Sequence, residues 1–296
     1  MNEILHFLKT KFFILFFPII SYAQNQIISN DYGLLIKHEF TSSAFPDPMR
    51  INGHTYNHQH YEYQSHYHDS SVYIFIPKYF STDDSLNIVF HFHGWYNQID
   101  SVLKQFNLIE QFYKAKKNAI LVVPQGPKNA PDSYGGKLES SGQFSDFVSD
   151  ILSFLKNEEF IDFKNKGNFI LSGHSGAYRV MSYILFQGGL TKYIREVFLF
   201  DGLYAQQEKY ALWIEQGGRL TNIYTDDGGT FENSIEFTKS LDSLKIKHTV
   251  IKASEMERSF KKDFQVRTVY SPLDHNDVIH KNENFMKLIQ ASPFLH

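Results

Sequence analysis

The stretch from Asn168 to Arg179, NFILSGHSGAYR, decides the fold of this chain. Its apolar run, residues 169–171, predicts a buried strand, and the small residues that follow predict a sharp turn into a helix. Ser175 lies inside that turn, two residues after Gly173 and directly before Gly176, in the pattern G-x-S-x-A. A serine on a strand-to-helix turn of this kind has the geometry of a nucleophile elbow, although the usual final glycine is here Ala177. The sequence therefore predicts Ser175 as a nucleophile.

Short apolar runs rich in branched and aromatic residues recur on both sides of this turn. They are SVYIFIP (71–77), LNIVFHFHG (86–94), AILVVPQG (119–126), EVFLFDG (196–202) and LTNIYTDDGG (220–229). Segments with helical spacing lie between most of them, at 102–116, 144–155, 177–186 and 231–244. This alternation predicts an α/β fold with a mostly parallel central sheet and helices on both faces. Parallel strands place their carboxyl ends at one edge, where functional residues collect.

Length and composition favour one large domain. The 296 residues are 42% hydrophobic, which is enough for a large core, and no repeat or linker divides the body of the chain. We expect a catalytic domain over 71–296, preceded by an N-terminal extension or edge strands over 24–70. The formal net charge of -3 gives no electrostatic reason to expect a nucleic-acid partner.

The first residues have the pattern of a secretory signal peptide. Lys9 and Lys11 precede the apolar run Phe12 to Ile20, and small residues follow at 21–23. The run is shorter than the roughly 20 residues that span a bilayer. We therefore predict a signal peptide over 1–23, an exported protein that is periplasmic or secreted, and no stable membrane insertion after cleavage. The chain contains no cysteine, so no disulfide framework is expected.

A serine nucleophile needs a base, and four histidines follow Ser175 in the chain: His248, His275, His280 and His296. His248 falls at the start of a predicted strand, and His280 falls within or beside the final helix, which is predicted from about 281. His275 lies between an apolar stretch and that helix, on a predicted loop at the strand ends. We therefore predict His275 as the base.

The acid that orients the base has three candidates. Asp226 and Asp227 end the predicted strand 220–224, and Asp201 ends the strand before it. We favour Asp227, while noting that a carboxylate in this place can instead cap a helix that begins near Thr230 or shape the glycine turn. Asp226 and Asp201 remain alternatives, since all three follow the serine and precede the histidine.

The oxyanion of an acyl-transfer intermediate needs fixed N–H donors. The residue after the nucleophile, Gly176, supplies one. The second donor is expected from the loop at the end of the strand in FHFHGWYN (90–97). We predict that it is the backbone N–H of Trp95. His91 and the pair His93-Gly94 also fit ordinary packing on alternate strand positions.

These elements, in this order, resemble an α/β-hydrolase over roughly residues 70 to 292. The resemblance is to secreted serine esterases of the feruloyl esterase, acetylxylan esterase and polyester depolymerase group, which share the HG loop, a VPQG-like strand end and the elbow. It implies a Ser-His-Asp triad and no cofactor. The chain departs from the pattern at Ala177 and in having the adjacent pair Asp226-Asp227.

Substrate contacts are predicted around the strand ends. The long polar loop Pro124 to Phe144 is expected to form one wall of the cleft. Aromatic side chains near strand ends that could stack on a sugar or aryl group are Trp95, Tyr96, Tyr134, Tyr178 and Tyr204. The residues that we predict to bind substrate are His93, Gly94, Tyr96, Tyr134 and His174.

A cluster of histidines occupies residues 54–68, HTYNHQHYEYQSHYH. Paired imidazoles on one face of a strand can bind zinc or copper. Alternation with tyrosines favours exposed positions on an edge hairpin instead, so we predict no metal site.

The sequence thus favours an exported serine hydrolase, a carboxylesterase that acts on an ester-decorated glycan or a small ester. The same apparatus would serve a peptidase or amidase. Two other classes stay open: a non-catalytic binding protein with this fold, and a metal-dependent deacetylase built on the histidine cluster.

Overall fold

The computed structural model describes residues 25–81 and 85–296, so the predicted signal peptide lies outside the described residues. The described strands are β1 (Gln26–Ser29), β2 (Gly33–Glu39), β3 (His54–Tyr56), β4 (Gln59–Tyr61), β5 (Ser71–Pro77), β6 (Ser85–Phe92), β7 (Ile120–Pro124), β8 (Asn165–His174), β9 (Ile194–Phe200), β10 (Arg219–Tyr224), β11 (His248–Lys252) and β12 (Val266–Tyr270). Ten of them form one sheet in the order β1-β2-β5-β7-β6-β8-β9-β10-β12-β11. The remaining two, β3 and β4, pair as a separate hairpin.

The sheet is mostly parallel, as predicted. All pairings from β7 through β6, β8, β9, β10, β12 and β11 are parallel. The segment before residue 71 adds the antiparallel strands β1 and β2 at one edge, through the antiparallel partner β5. The carboxyl ends of the seven parallel strands therefore meet at one edge of the sheet.

Helices cover both faces of the sheet. The described α-helices are α1 (Tyr63–His66), α2 (Ile99–Gln105), α3 (Leu108–Ala115), α4 (Gln143–Asn157), α5 (Tyr178–Gln187), α6 (Gln207–Glu215), α7 (Phe231–Ser243), α8 (Met256–Ser259) and α9 (Asn284–Ala291). One buried cluster takes side chains from α4, α5, α6 and α7, and the other takes them from α2, α3, α8 and α9. None of these helices is long and apolar enough to cross a membrane.

The helix predicted over 102–116 is two helices, α2 and α3. Asn107 has a left-handed backbone with φ of 48°, which breaks the helix between them. Phe106 is buried at the break, and its carbonyl accepts a hydrogen bond of 2.7 Å from the Gln111 side chain. The spacing of apolar residues continues through the break, so the pattern alone did not reveal it.

Strand β8 lies in the middle of the sheet, between β6 and β9, and its side chains are buried on both faces. Phe169 and Leu171 join the cluster under α4 and α5, while Ile170 joins the cluster on the other face. All three side chains are fully buried. Burial of each contributes about 1.5–3 kcal/mol, so this short run fixes the strand that leads into the serine turn.

The turn after β8 leaves almost no space for larger residues. A methyl group added to Gly173 would lie 2.6 Å from Met181 Cε and 2.9 Å from Ala177 Cβ. Ser175 has a φ of 54°, a left-handed conformation that is costly for a residue with a side chain. The Ala177 methyl group therefore packs directly against Gly173, which has no room for a side chain.

This packing gives a stability prediction at Ala177. Ala177→Val adds two methyl groups against Gly173, and we expect it to lower the free energy of unfolding by about 2 kcal/mol. Ala177→Gly removes one methyl group and should cost no more than about 1 kcal/mol. Urea unfolding of both variants and the parent tests this. Equal unfolding midpoints for the valine variant and the parent would show that the turn has spare room.

Candidate active site

Ser175 lies at the carboxyl end of β8, with the ends of the two neighbouring strands pressed against it. A methyl group added to Gly94, just after β6, would lie 2.7 Å from Ser175 Cβ and 3.3 Å from its Oγ. One added to Gly202, just after β9, would lie 3.1 Å from the Ser175 carbonyl oxygen and 3.4 Å from its nitrogen. The two glycines allow the loops after β6 and β9 to approach the serine closely.

His275 is hydrogen-bonded to Asp201. The distance from His275 Nδ1 to Asp201 Oδ2 is 2.8 Å, and the Asp201 side chain is fully buried while that of His275 is 23% exposed. A carboxylate only accepts hydrogen bonds, so Nδ1 of the imidazole carries the proton and donates it. In a neutral imidazole the other nitrogen, Nε2, is then left as a proton acceptor.

The preference for Asp227 as the partner of His275 is wrong. Asp227 and Asp226 are both exposed, and neither contacts His275. Asp227 Oδ1 lies 3.0 Å from the Thr225 hydroxyl, whose one proton is donated to Asp201, and Asp226 accepts a 2.7 Å hydrogen bond from Tyr270. Asp201, the third candidate, ends β9, which lies directly beside β8 in the sheet and so places its carboxylate near the serine turn.

Two threonines hold the Asp201 carboxylate. Thr225 Oγ1 donates to Oδ2 at 2.5 Å, and the hydroxyl of Thr230 donates to Oδ1. Burial raises the pKa of Asp201, but the hydrogen bonds from His275, Thr225 and Thr230 outweigh it, and the net effect is a lowered pKa. Gly228 packs directly against this carboxylate, because a methyl group added to Gly228 would lie 1.6 Å from Asp201 Oδ2. Asp201 is thus kept ionised in a closed polar pocket.

Ser175 and His275 are brought to the same edge of the sheet but are not hydrogen-bonded to each other in the described structure. The Ser175 side chain instead interacts with the hydroxyl of Tyr204. That hydroxyl donates a 2.5 Å hydrogen bond to the carbonyl oxygen of Gly228, which leaves its oxygen free to accept from the serine. Hydrogen bonds among catalytic groups are often loose without substrate and tighten when it binds.

His174, beside the serine, supports the loop that carries His275. Its Nε2 lies 2.9 Å from the backbone carbonyl oxygen of His275, so this nitrogen donates, and the two rings are 4.5 Å apart. Burial, followed by the nearby His275, lowers the pKa of His174 to about 3, so the ring is neutral. The prediction that His174 contacts substrate is wrong, because the residue is only 1% exposed.

His93 orients the peptide bond between Gly94 and Trp95. The backbone N–H of Gly126 donates to His93 Nε2 at 2.9 Å, so the proton is on Nδ1, which donates to the Gly94 carbonyl at 2.8 Å. In a trans peptide the carbonyl and the next N–H point in opposite directions. His93 therefore turns the N–H of Trp95 away from itself. His93 is buried but lines a small cavity together with Gly176, so its contact with substrate stays a prediction.

The two tyrosines predicted to bind substrate have different positions. Tyr96 is 55% exposed, next to Trp95 at the rim. Tyr134 is packed between two arginines, with the guanidinium carbons of Arg50 and Arg179 at 4.5 and 5.4 Å from its ring centre. Its hydroxyl also donates to Asp47 at 3.1 Å. Tyr134 thus anchors the long loop after β7, and it also lines a small cavity together with Gly176, so its contact with substrate stays a prediction.

The histidines of residues 54–68 lie on and beside the β3–β4 hairpin. His66 Nδ1 donates to the Lys128 carbonyl at 2.6 Å, and His60 Nδ1 pairs with the Thr55 hydroxyl at 3.1 Å. Over residues 25–81 and 85–296, no group of three or more His, Cys, Asp or Glu side chains is placed to hold a metal ion.

Several residues of the site were not predicted from the sequence. They are Thr225, Thr230 and Gly228 around Asp201, Tyr204 beside Ser175, and Ser133 beside Trp95. Tyr204 was noted only as an aromatic side chain near a strand end. The two threonines flank the aspartate pair in TDDGGT. The need of a buried carboxylate for hydrogen-bond donors is the signal that could have predicted them.

Solved structures with the same fold are known. The chain is similar to FphF, a fluorophosphonate-binding serine hydrolase of Staphylococcus aureus, with a TM-score of 0.50 and 11% identity over 88% of this chain and 99% of that one. It is similar to the feruloyl esterase module from Clostridium thermocellum, complexed with sinapinate, with a TM-score of 0.52 and 10% identity over 88% of each chain.

A third similar structure is an S-formylglutathione hydrolase from Agrobacterium tumefaciens, with a TM-score of 0.51 and 10% identity over 90% of this chain and 95% of that one. No protein-family model and no curated protein sequence matches the chain. At these identities the likeness concerns the fold. Together with the strand order and the parallel pairings, it confirms that the chain has the α/β-hydrolase fold.

The hydrogen bonds on Asp201 give a pH prediction for stability. An unfolded aspartate has a pKa of about 3.9, and the folded value is lower. The ionised carboxylate therefore stabilises the fold above about pH 4, and this contribution is lost as the pH falls through the lowered folded pKa. We expect the free energy of unfolding to fall less between pH 6 and pH 3 in Asp201→Asn than in the parent.

Urea unfolding at the two pH values measures this difference. Asp227→Asn is the matched control, since it removes an exposed carboxylate two residues from Thr225, and it should keep the parental fall. The prediction fails if Asp201→Asn loses as much stability as the parent over this pH range.

Proposed function

We propose that this protein is an exported serine hydrolase, a carboxylic ester hydrolase that acts on small esters or on an ester-decorated glycan. The observation that carries the proposal is the buried Asp201–His275 hydrogen bond beside Ser175 on its strained turn. A buried carboxylate that fixes the tautomer of a partly exposed histidine, next to a displayed serine, is the arrangement that serine hydrolysis requires. The signal-like pattern of residues 1–23 supports export.

In the proposed mechanism, Ser175 Oγ attacks the acyl carbon of the ester while His275 Nε2 takes the hydroxyl proton. Asp201 holds the imidazole and stabilises the imidazolium that forms. The tetrahedral intermediate then collapses, the bond to the leaving oxygen breaks, and His275 returns the proton to that oxygen. Water attacks the acyl-serine by the same route, releasing the acid and restoring Ser175.

Two backbone N–H groups would hold the developing oxyanion. Gly176 lies in the short 3-10 segment Ser175–Ala177 that leads into α5, where N–H groups lack partners within the helix. The second donor would be the N–H of Trp95, which His93 turns away from its own ring by holding the Gly94 carbonyl. Such preorganised donors are worth about 3 kcal/mol each to the transition state.

Partly buried aromatic side chains surround the serine. Tyr204 interacts with Ser175, and its ring centre is 5.7 Å from that of Tyr178. Trp95 contacts Gly176 on the other side. This lining suits an uncharged ester. The fold neighbours described as serine hydrolases and as a feruloyl esterase support an ester substrate without identifying it.

Hydrolysis of p-nitrophenyl esters by the mature protein from residue 24 tests the proposal. We expect measurable turnover in the parent, and a fall in kcat/KM of about 10⁴-fold or more in both Ser175→Ala and His275→Ala. A p-nitroanilide run in parallel separates an esterase from an amidase. Parental activity that survives either substitution would rule out Ser175 and His275 as the catalytic pair.

The choice of acid is tested separately with two isosteric variants. Asp201→Asn keeps the shape of the site but no longer fixes the Nδ1–H tautomer of His275, and we expect kcat to fall by about 10³–10⁴-fold. Asp227→Asn should stay within about threefold of the parent, because Asp227 is exposed and does not contact His275. The opposite ranking of the two variants would restore Asp227 as the orienting acid.

A further inference from the structure

The indole ring of Trp95 covers the residue after the nucleophile. A methyl group added to Gly176 would lie 2.5 Å from Trp95 Cδ1 and 2.8 Å from both Trp95 Nε1 and Ser133 Oγ. The indole and the Ser133 hydroxyl thus lie directly against the Gly176 Cα. Any group that binds next to the Gly176 N–H meets this surface first.

Hydrogen bonds and ring packing hold the indole in place. Trp95 Nε1 donates to Ser133 Oγ at 2.7 Å, and the Ser133 side chain also interacts with the hydroxyl of Tyr178. On its other side, the indole packs edge-on against Tyr56, with ring centres 5.2 Å apart. The ring is therefore a fixed wall and not a freely rotating side chain.

The loop that carries Ser133 is itself anchored. Asp132 accepts a 2.7 Å hydrogen bond from Arg50 Nε, and its other carboxylate oxygen accepts one of 2.9 Å from the backbone N–H of Tyr134. Both Arg50 and Asp132 have mostly buried side chains. Ser133 is thereby held between two anchored residues, which fixes the acceptor of the indole hydrogen bond.

A small cavity lies next to this wall. It has a volume of about 20 Å³, and Gly176 and Ser133, the two residues that Trp95 contacts, form part of its lining. The rest of the lining is largely apolar and includes Phe92, Leu138 and Val180. About one water molecule fills such a space, so it cannot take a longer chain unless the wall moves.

His275 and the Trp95 wall lie on opposite sides of the serine. His275 must return a proton to the leaving oxygen, so the leaving group lies on the His275 side of the serine. His275 follows β12, whereas Trp95 follows β6, and these strands are on opposite sides of β8 in the sheet. The acyl carbon is therefore held between His275 on one side and the Trp95 loop on the other, so the indole lies within reach of the acyl group but not of the leaving group.

We propose that the Trp95 indole, held by Ser133, is a specificity-determining wall that restricts the acyl group of the substrate to short chains. This inference rests on the proposed ester hydrolase function. It assigns to the Trp95 side chain a role that is independent of the oxyanion role of its backbone N–H. Truncating the side chain leaves that N–H in the chain and removes the indole that lies against Gly176 and Ser133.

The test compares kcat/KM for p-nitrophenyl acetate and p-nitrophenyl octanoate. We expect the parent to prefer acetate, and the octanoate-to-acetate ratio to rise by about tenfold or more in Trp95→Ala. Ser133→Ala, which removes the hydrogen-bond acceptor and leaves the indole, should raise the ratio less. Phe186→Ala is the control, since it truncates a 57% exposed aromatic ring at the far end of α5 from Ser175 and should leave the ratio within about threefold.

Fluorophosphonate labelling distinguishes a failure of the proposed hydrolase function from a failure of the role proposed for Trp95. If the parent neither labels nor hydrolyses any ester, the proposed function fails. If the parent labels and hydrolyses, but the ratio is unchanged in Trp95→Ala, only the role of Trp95 is overturned. A parent that already prefers octanoate overturns it as well. Should Trp95→Ala fail to fold, an unchanged ratio in Ser133→Ala decides against the wall.

Discussion

The hydrogen bond between His275 and the buried carboxylate of Asp201 is the interaction on which the site depends. It joins the end of β9 to the loop after β12, two segments 74 positions apart in the chain. An ionised carboxylate with no exposure is tolerable only if its oxygens are satisfied, and Thr225 and Thr230 complete that task. The same bonds that make the charge stable inside the protein therefore also fix the tautomer of His275, with the proton on Nδ1 and Nε2 left as an acceptor.

Close approach of backbones is the second constraint. Ser175 can stand between two strand ends only because Gly94 and Gly202 carry no side chains. Two buried histidines then orient backbone groups around the serine. His93 donates to the Gly94 carbonyl and so orients the peptide before Trp95, and His174 donates to the carbonyl of His275. These rings act as neutral donors, since burial lowers the pKa of both. Residues that look catalytic in sequence can thus serve the site through other residues.

Much of the fold was predictable, because strands buried on both faces of a sheet must be continuous apolar runs. The run at 169–171, followed by the serine turn, predicted β8 and the helix after it. His275 was predictable from the order of elements, since it alone among the later histidines fell on a loop at the predicted strand ends. The break at Asn107 was not predictable, because it depends on a backbone conformation that apolar spacing does not encode.

The acid was not predictable from order alone, since Asp201, Asp226 and Asp227 all lie between the serine and the histidine. What separates them is burial and the inward threonine hydroxyls, which are properties of the folded turn after β10. The buried positions of His93 and His174 were hidden for a related reason. Alternation on a strand shows that two residues share a face, but not whether that face is open to the cleft or covered by a helix.

Peptide mapping by mass spectrometry, after treatment with an alkyl fluorophosphonate, tests directly whether Ser175 is an activated nucleophile. We expect one phosphonyl adduct, on Ser175 within the stretch 168–179, and a much slower rate of adduct formation in His275→Ala. An unmodified Ser175 in folded parental protein, or an adduct on a different residue, would contradict the claim that Ser175, His275 and Asp201 form a working nucleophilic site.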